Sequence, residues 1–176
     1  MTRIADIKTL LDLTNDNSQD AKLTLIIAAI ESTVEGMTGY KVTQAEITEE
    51  LNGLTERKLL LKWMPVKTVA SVSYWNSTTE AWEVVDSDLY ELDGRLGEII
   101  FANATPRGVK NIKVVYTAGD DTLQADINGA INDYVIQRFT GGGRGISSES
   151  VDGASVTYAD PKEIVNHPVF SQYIRV

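Results

Sequence analysis

Cysteine is absent from the chain and histidine occurs once, at His167. No disulfide framework and no thiolate metal site is therefore available, which fits a reducing compartment. One histidine without cysteine builds no zinc site unless carboxylates supply the remaining ligands. Long apolar runs are missing too. The longest, Leu25 to Ile30, is far too short to span a bilayer, and no basic-then-apolar leader opens the chain. The expectation is a cytosolic, soluble protein with no membrane partner. Positive charge is scarce: 16 Lys and Arg stand against 25 Asp and Glu, a formal charge of -9. That balance argues against a nucleic-acid clamp, which needs clustered basic side chains facing phosphates. The acidity is uneven, with ten acids against four bases up to Glu56.

What is present is a globular composition, 43% hydrophobic and 23% charged, in 176 residues. This suits one domain with an appended arm. Ile4, Ile7, Leu10 and Leu11 recur at helical spacing, predicting a first helix over 3–13. The polar run Thr14 to Ser18 makes a turn and offers capping oxygens. A second helix over 18–38 carries Leu23, Ile26, Ile27, Ile30, Val34 and Met37 on one stripe and closes at Gly39. The pattern then changes to short runs rich in branched and aromatic residues: Lys58 to Lys62, Val66 to Trp75, Trp82 to Val84, a hairpin from Leu89 through Asp93-Gly94 to Phe101, and Lys110 to Tyr116. These predict a small antiparallel sheet inserted over about 58–117. A third helix over 121–139 begins at Asp120-Asp121 and presents Leu123, Ile127, Ala130, Ile131, Tyr134, Val135 and Phe139. The fold class is α+β: an N-terminal helical hairpin plus a later helix, an inserted sheet, and an extended C-terminal arm. The core domain runs over 1–140 and the arm over 141–176. Ile4, Ile7, Leu11, Leu23, Ile26, Ile27, Ile30, Ile127, Ile131, Tyr134 and Val135 are expected to form the helical core.

Gly141, Gly142, Gly143 and Gly145 form a hinge, since consecutive glycines are too costly in backbone entropy to continue a helix. A phosphate loop would need a strand before it, a helix after it and a closing Lys-Ser/Thr, and none of these is in place. Beyond the hinge, Ile146 to Ser150 is polar and extended, Asp152-Gly153 is a turn, and Ser155 to Tyr158 favours strand. A short helix is expected from Asp160-Pro161. The apolar end with Phe170, Tyr173 and Ile174 calls for burial, on its own domain or on a partner. No catalytic, cofactor or metal site is expected. His167 stands beside Pro168 with no second histidine. The pairs Asp86/Asp88, Glu49/Glu50 and Asp120/Asp121 are what 25 acids produce by chance. Trp63, Trp75, Trp82, Tyr74 and Tyr90 gather in the insertion, as core and cross-strand packing or as an interaction surface.

The order of these strings resembles the head–tail connector proteins of long-tailed bacteriophages, also called adaptor or head-completion proteins. The opening IADIKTLLDL…DNSQDAKLTLIIAAIESTVEGMTGY is similar to their helical hairpin. LLLKWMPVKTVASVSYW is similar to their sheet insertion, IKVVYTAG to the strand before the last helix, and ISSESVDGASVTY to their extended arm. The resemblance covers nearly the whole chain and departs from the family pattern after Asp160. It implies a structural, non-enzymatic subunit of the virion neck, assembled in the host cytoplasm. Its expected partners are further copies of itself in a ring of about twelve, the portal protein, and the next neck or tail-completion protein. DNA passes through the channel without specific binding. The arm residues expected to meet the portal are Ile146, Ser148, Ser150, Val151, Ser155, Val156, Thr157 and Tyr158, by adding a strand to it. The rival readings are a small carboxylate-dependent hydrolase and a cytosolic peptide-binding module.

Overall fold

The computed structural model describes residues 3–119, 125–141, 148–151, 154–157, 167–171 and 173. They fall in two compact units, Met1–Gly39 with Leu123–Val176, and Tyr40–Thr122.

The first unit is helical. Helices α1 (Arg3–Leu10), α2 (Asp20–Thr38) and α3 (Ala125–Thr140) bury one stripe each. Ile7, Leu23, Ile30, Val34, Ile127, Ile131 and Val135 are all nearly or fully withdrawn from solvent, and Ile27 is buried. Each such side chain contributes roughly 1.5–3 kcal/mol on burial. Ile4, Leu11, Ile26 and Tyr134 are only half-buried, at the rim. Leu10 is exposed, because α1 ends there rather than at residue 13 and Asp12 turns the chain with a φ of 56°. The turn oxygens do not cap α2, whose first turn has no side-chain cap. They hold a buried lysine instead: the Lys8 ammonium donates to Asn17 Oδ1 at 2.6 Å and to Asp20 Oδ1 at 2.8 Å. Arg3 ties all three helices, pairing with Glu31 at 2.6 Å and donating to Asn128 Oδ1 at 3.0 Å. Gly39 closes α2 at φ 67°, its N–H on the Glu35 carbonyl. The expected start of α3 at Asp120-Asp121, with Leu123, lies outside the described residues.

The second unit is all β. Strands β1 (Ala45–Gly53), β3 (Val66–Asn76), β4 (Ala81–Val84) and β7 (Gly108–Ala118) form a four-stranded sheet in the order β1-β7-β3-β4. Strands β2 (Lys58–Leu60), β5 (Tyr90–Asp93) and β6 (Glu98–Phe101) form a second sheet in the order β2-β6-β5. The named strands pair antiparallel throughout, with one isolated parallel bridge between Tyr40 and Met64 among the described residues. Leu59, Ile99 and Phe101 from the small sheet, with Leu61 just past β2, meet Val66, Val72, Ile112, Val114, Tyr116 and Ala118 from the large one in a single core. The sheet begins at Ala45, not near residue 58. Strand β1 alternates, with Ala45, Ile47, Glu49 and Leu51 half-buried and their neighbours exposed. An acid at one of its inner positions disguises the pattern.

Among the described residues, a pair of strands and a short helix follow α3 in the first unit. Strands β8 (Ser148–Val151) and β9 (Ala154–Thr157) pair antiparallel, Val151 opposite Ala154. Helix α4 (Pro168–Ser171) packs on α3 and α2.

Candidate assembly surfaces

His167 is a packing residue. Its ring stands edge-on to Tyr134 at 5.7 Å and tilted against Phe170 at 5.4 Å, and its Nδ1 accepts the Val169 N–H at 3.3 Å. These contacts include no acid and no nucleophile. Among the described residues no three of His, Asp and Glu gather as a metal site would require.

The carboxylate pairs come apart on inspection. Glu49 faces inward and uses both oxygens, one accepting from the Tyr116 hydroxyl at 2.7 Å and the other from the Lys62 N–H at 3.2 Å. Glu50 is exposed on the other face of β1. Asp86 accepts from the Asp88 N–H at 3.1 Å and so starts the 3₁₀ turn Ser87–Leu89. Asp16 accepts from the Ser18 N–H at 2.8 Å, and its hydrogen bonding to Ser18 holds its carboxyl below the usual range. These acids shape turns and strand contacts. Asp120 and Asp121 lie outside the described residues.

The aromatic group splits into two. Tyr74 and Tyr90 both lean on Phe101 in the core, at 6.1 and 6.0 Å. Burial pushes the Tyr74 phenol above its ordinary value. Burial first, and then the charge of Asp86, do the same to Tyr90. Trp75 and Trp82 instead form a cross-strand pair at 5.4 Å, with the Lys113 ammonium 4.5 Å from the Trp82 ring. Trp75, near the end of β3, is 42% exposed, and Val84 on the short edge strand β4 is 74% exposed. Lys41 and Lys62 both lie over Trp63. Packing accounts for the tyrosines, while the tryptophan ladder also offers apolar surface.

The arm residues are partly described. Ser148, Ser150 and Val151 lie on β8, and Ser155, Val156 and Thr157 on β9, so the backbone is a hairpin rather than one extended strand. Ile146 and Tyr158, the Asp152-Gly153 turn and the expected helix from Asp160-Pro161 lie outside the described residues. Of the hinge glycines, Gly141 still donates its N–H to Gln137 at 2.9 Å, and Gly142, Gly143 and Gly145 lie outside. The apolar end returns to its own unit: Phe170 is fully buried and stacks on Tyr134 at 6.2 Å. Sequence alone left open whether that end meets its own domain or a partner.

These polar side chains hold strands, turns and helices to one another, as in a structural α+β protein. The chain belongs to the head completion protein family, whose model matches residues 1–170. The match runs past Asp160, where the sequence strings alone had lost the family pattern. No curated protein matches in sequence. Among solved structures the chain is similar to one described as the neck of an empty gene transfer agent particle with C6 symmetry. The identity is 18% and the TM-score 0.70, over 98% of this chain and 88% of the other. It is similar also to a chain of the native particle's neck with C12 symmetry, at 18% identity and a TM-score of 0.68, over 98% of this chain and 88% of that one. A chain of the native gene transfer agent virion matches at 17% identity and a TM-score of 0.68, over 98% and 89%. At such identities the likeness speaks for the α+β fold.

Proposed function

We propose that the chain is a structural, non-catalytic subunit of a phage-type neck. It forms a ring on the portal, continues the DNA channel and joins head to tail. The observation that carries this is the head completion family match over residues 1–170, on a fold shared with neck chains of particles solved with C6 and C12 symmetry. The C12 symmetry of one neighbouring neck supports a closed ring of about twelve copies in this reading. The net charge of -9 suits a channel wall, since repulsion keeps passing DNA from adhering. In this reading the β8–β9 hairpin is the portal contact, its free strand edges open to pairing with a partner strand. The next neck or tail-completion protein meets the opposite rim, and the protein resides in the virion after assembly in the host cytoplasm.

The test is complementation. Particles made without the protein should contain filled heads that carry no tail, and adding the purified chain should restore tailed particles in negative-stain micrographs. Heads that acquire tails equally well without it would refute the reading.

A further inference from the structure

We propose that the stretch after α3 works as a loop tied to α3 at both ends, and that its second tie, a clasp of His167, Phe170 and Tyr173 on Tyr134 and Asp126, holds the β8–β9 hairpin in place. What the hairpin binds rests on the neck reading above; the clasp does not.

The first tie is covalent and short. Gly141 leaves α3 with its N–H still on the Gln137 carbonyl, so the chain departs from the C-terminal end of the helix. The second tie sits further back along the same helix. Phe170 has no solvent-exposed surface and stacks on Tyr134 at an interplanar angle of 26°. His167 fills the space beside both rings, and the Tyr173 N–H on the Phe170 carbonyl at 3.0 Å turns the chain toward the start of α3. There the Tyr173 hydroxyl donates to Asp126 Oδ2 at 3.1 Å. The second tie therefore begins at Tyr134, within a turn of Gln137, and reaches back to Asp126 in the first turn of a helix about 24 Å long at 1.5 Å per residue.

The consequence for the hairpin is entropic. A two-stranded hairpin alone is marginal in water. Pinning both ends of the segment that contains it removes conformations in which the strands lie apart, as loop closure does for any flexible chain. The same restriction reduces what must be ordered when a partner strand adds to the hairpin. A tail tied at one end only would lack that advantage.

Hydrogen exchange on the full free chain tests this without any partner, so failure of the neck reading would leave the result standing. The comparison is between the wild type, Phe170→Ala, and Tyr173→Phe, which keeps the ring and removes only the hydroxyl. The expected result is several-fold faster exchange of the Ser148–Thr157 amides in both variants, with β7 amides unchanged as an internal reference. Should Phe170→Ala fail to fold, Tyr173→Phe carries the test. Hairpin amides exchanging at the wild-type rate in the folded variants, or already unprotected in the wild type, would overturn the proposal.

Discussion

Tyr116 sits in the middle of β7 with its ring wholly buried and its hydroxyl shared between two partners. It donates to Glu49 on the neighbouring strand and accepts the Trp63 N–H at 3.3 Å from the segment between β2 and β3. Replacing it by phenylalanine keeps the packing and leaves both partners short of a bond. Tyr116→Phe should cost about 1–3 kcal/mol in urea unfolding, the usual penalty for a polar group left unpaired inside. In the helical unit the lesson is volume. Ile131 is fully buried and Ile27 nearly so, and truncation of either to alanine should cost about 2–5 kcal/mol. Tyr74 and Tyr90 add a pH dependence. Burial favours their neutral form and raises both pKa values above the ordinary value of 10.0. Their contribution is complete below that value and is lost as pH rises through the higher folded values. Melting temperature should therefore hold to about pH 10 and fall above it. The double variant Tyr74→Phe/Tyr90→Phe should flatten that fall, and an identical alkaline limb in the variant would show that other groups drive it.

Glycine marks opposite demands in the two kinds of element. In α2 and α3, Gly36 and Gly129 face open space, with nothing near a Cβ built on either. Gly36→Ala and Gly129→Ala should each stabilise by about 0.4–1 kcal/mol, read as a shift in denaturant midpoint. Gly53 ends β1 where the ladder slips its register, and a Cβ there would run into the Pro106 carbonyl. Gly53→Ala should accordingly destabilise, and an unchanged midpoint would mean that the 102–107 connection gives way. The helices were legible in the sequence because their apolar residues keep a 3.6-residue period and Gly39 ends the second one. The Leu89 to Phe101 hairpin was legible from its turn. Strand β1 was not, because Glu49 occupies an inner position and is acceptable there only through Tyr116 and Lys62, partners distant in sequence. The spacing put Leu10 on the apolar face of the first helix, outside the expected core, and the early end of α1 leaves it exposed. The arm showed as strand–turn–strand, but pairing of its two halves with each other is a choice that periodicity does not make.

At the scale of the whole molecule, the burial of Phe170 changes how the arm has to be tested. From composition, the arm after Thr140 looks removable without loss of fold. The structure places part of the helical core beyond that point, so truncation after Thr140 should destabilise by about 2–5 kcal/mol, as loss of a large core side chain does. That variant confuses stability with assembly. A cleaner one replaces Ser148–Thr157 by a short Gly-Ser linker and keeps both Gly141 and the segment from His167 to Tyr173. It removes only a two-stranded element that adds little stability of its own. Its melting curve and its oligomer distribution by sedimentation should match the wild type, while its power to restore tailed particles should be lost. The two readouts separate the possibilities. Loss of complementation with an unchanged melt assigns the hairpin to partner contact. Loss of both assigns it to the fold. Full complementation by the linker variant would remove the hairpin from the portal contact and direct attention to the exposed edge of the sheet unit, where Trp75 and Val84 face solvent.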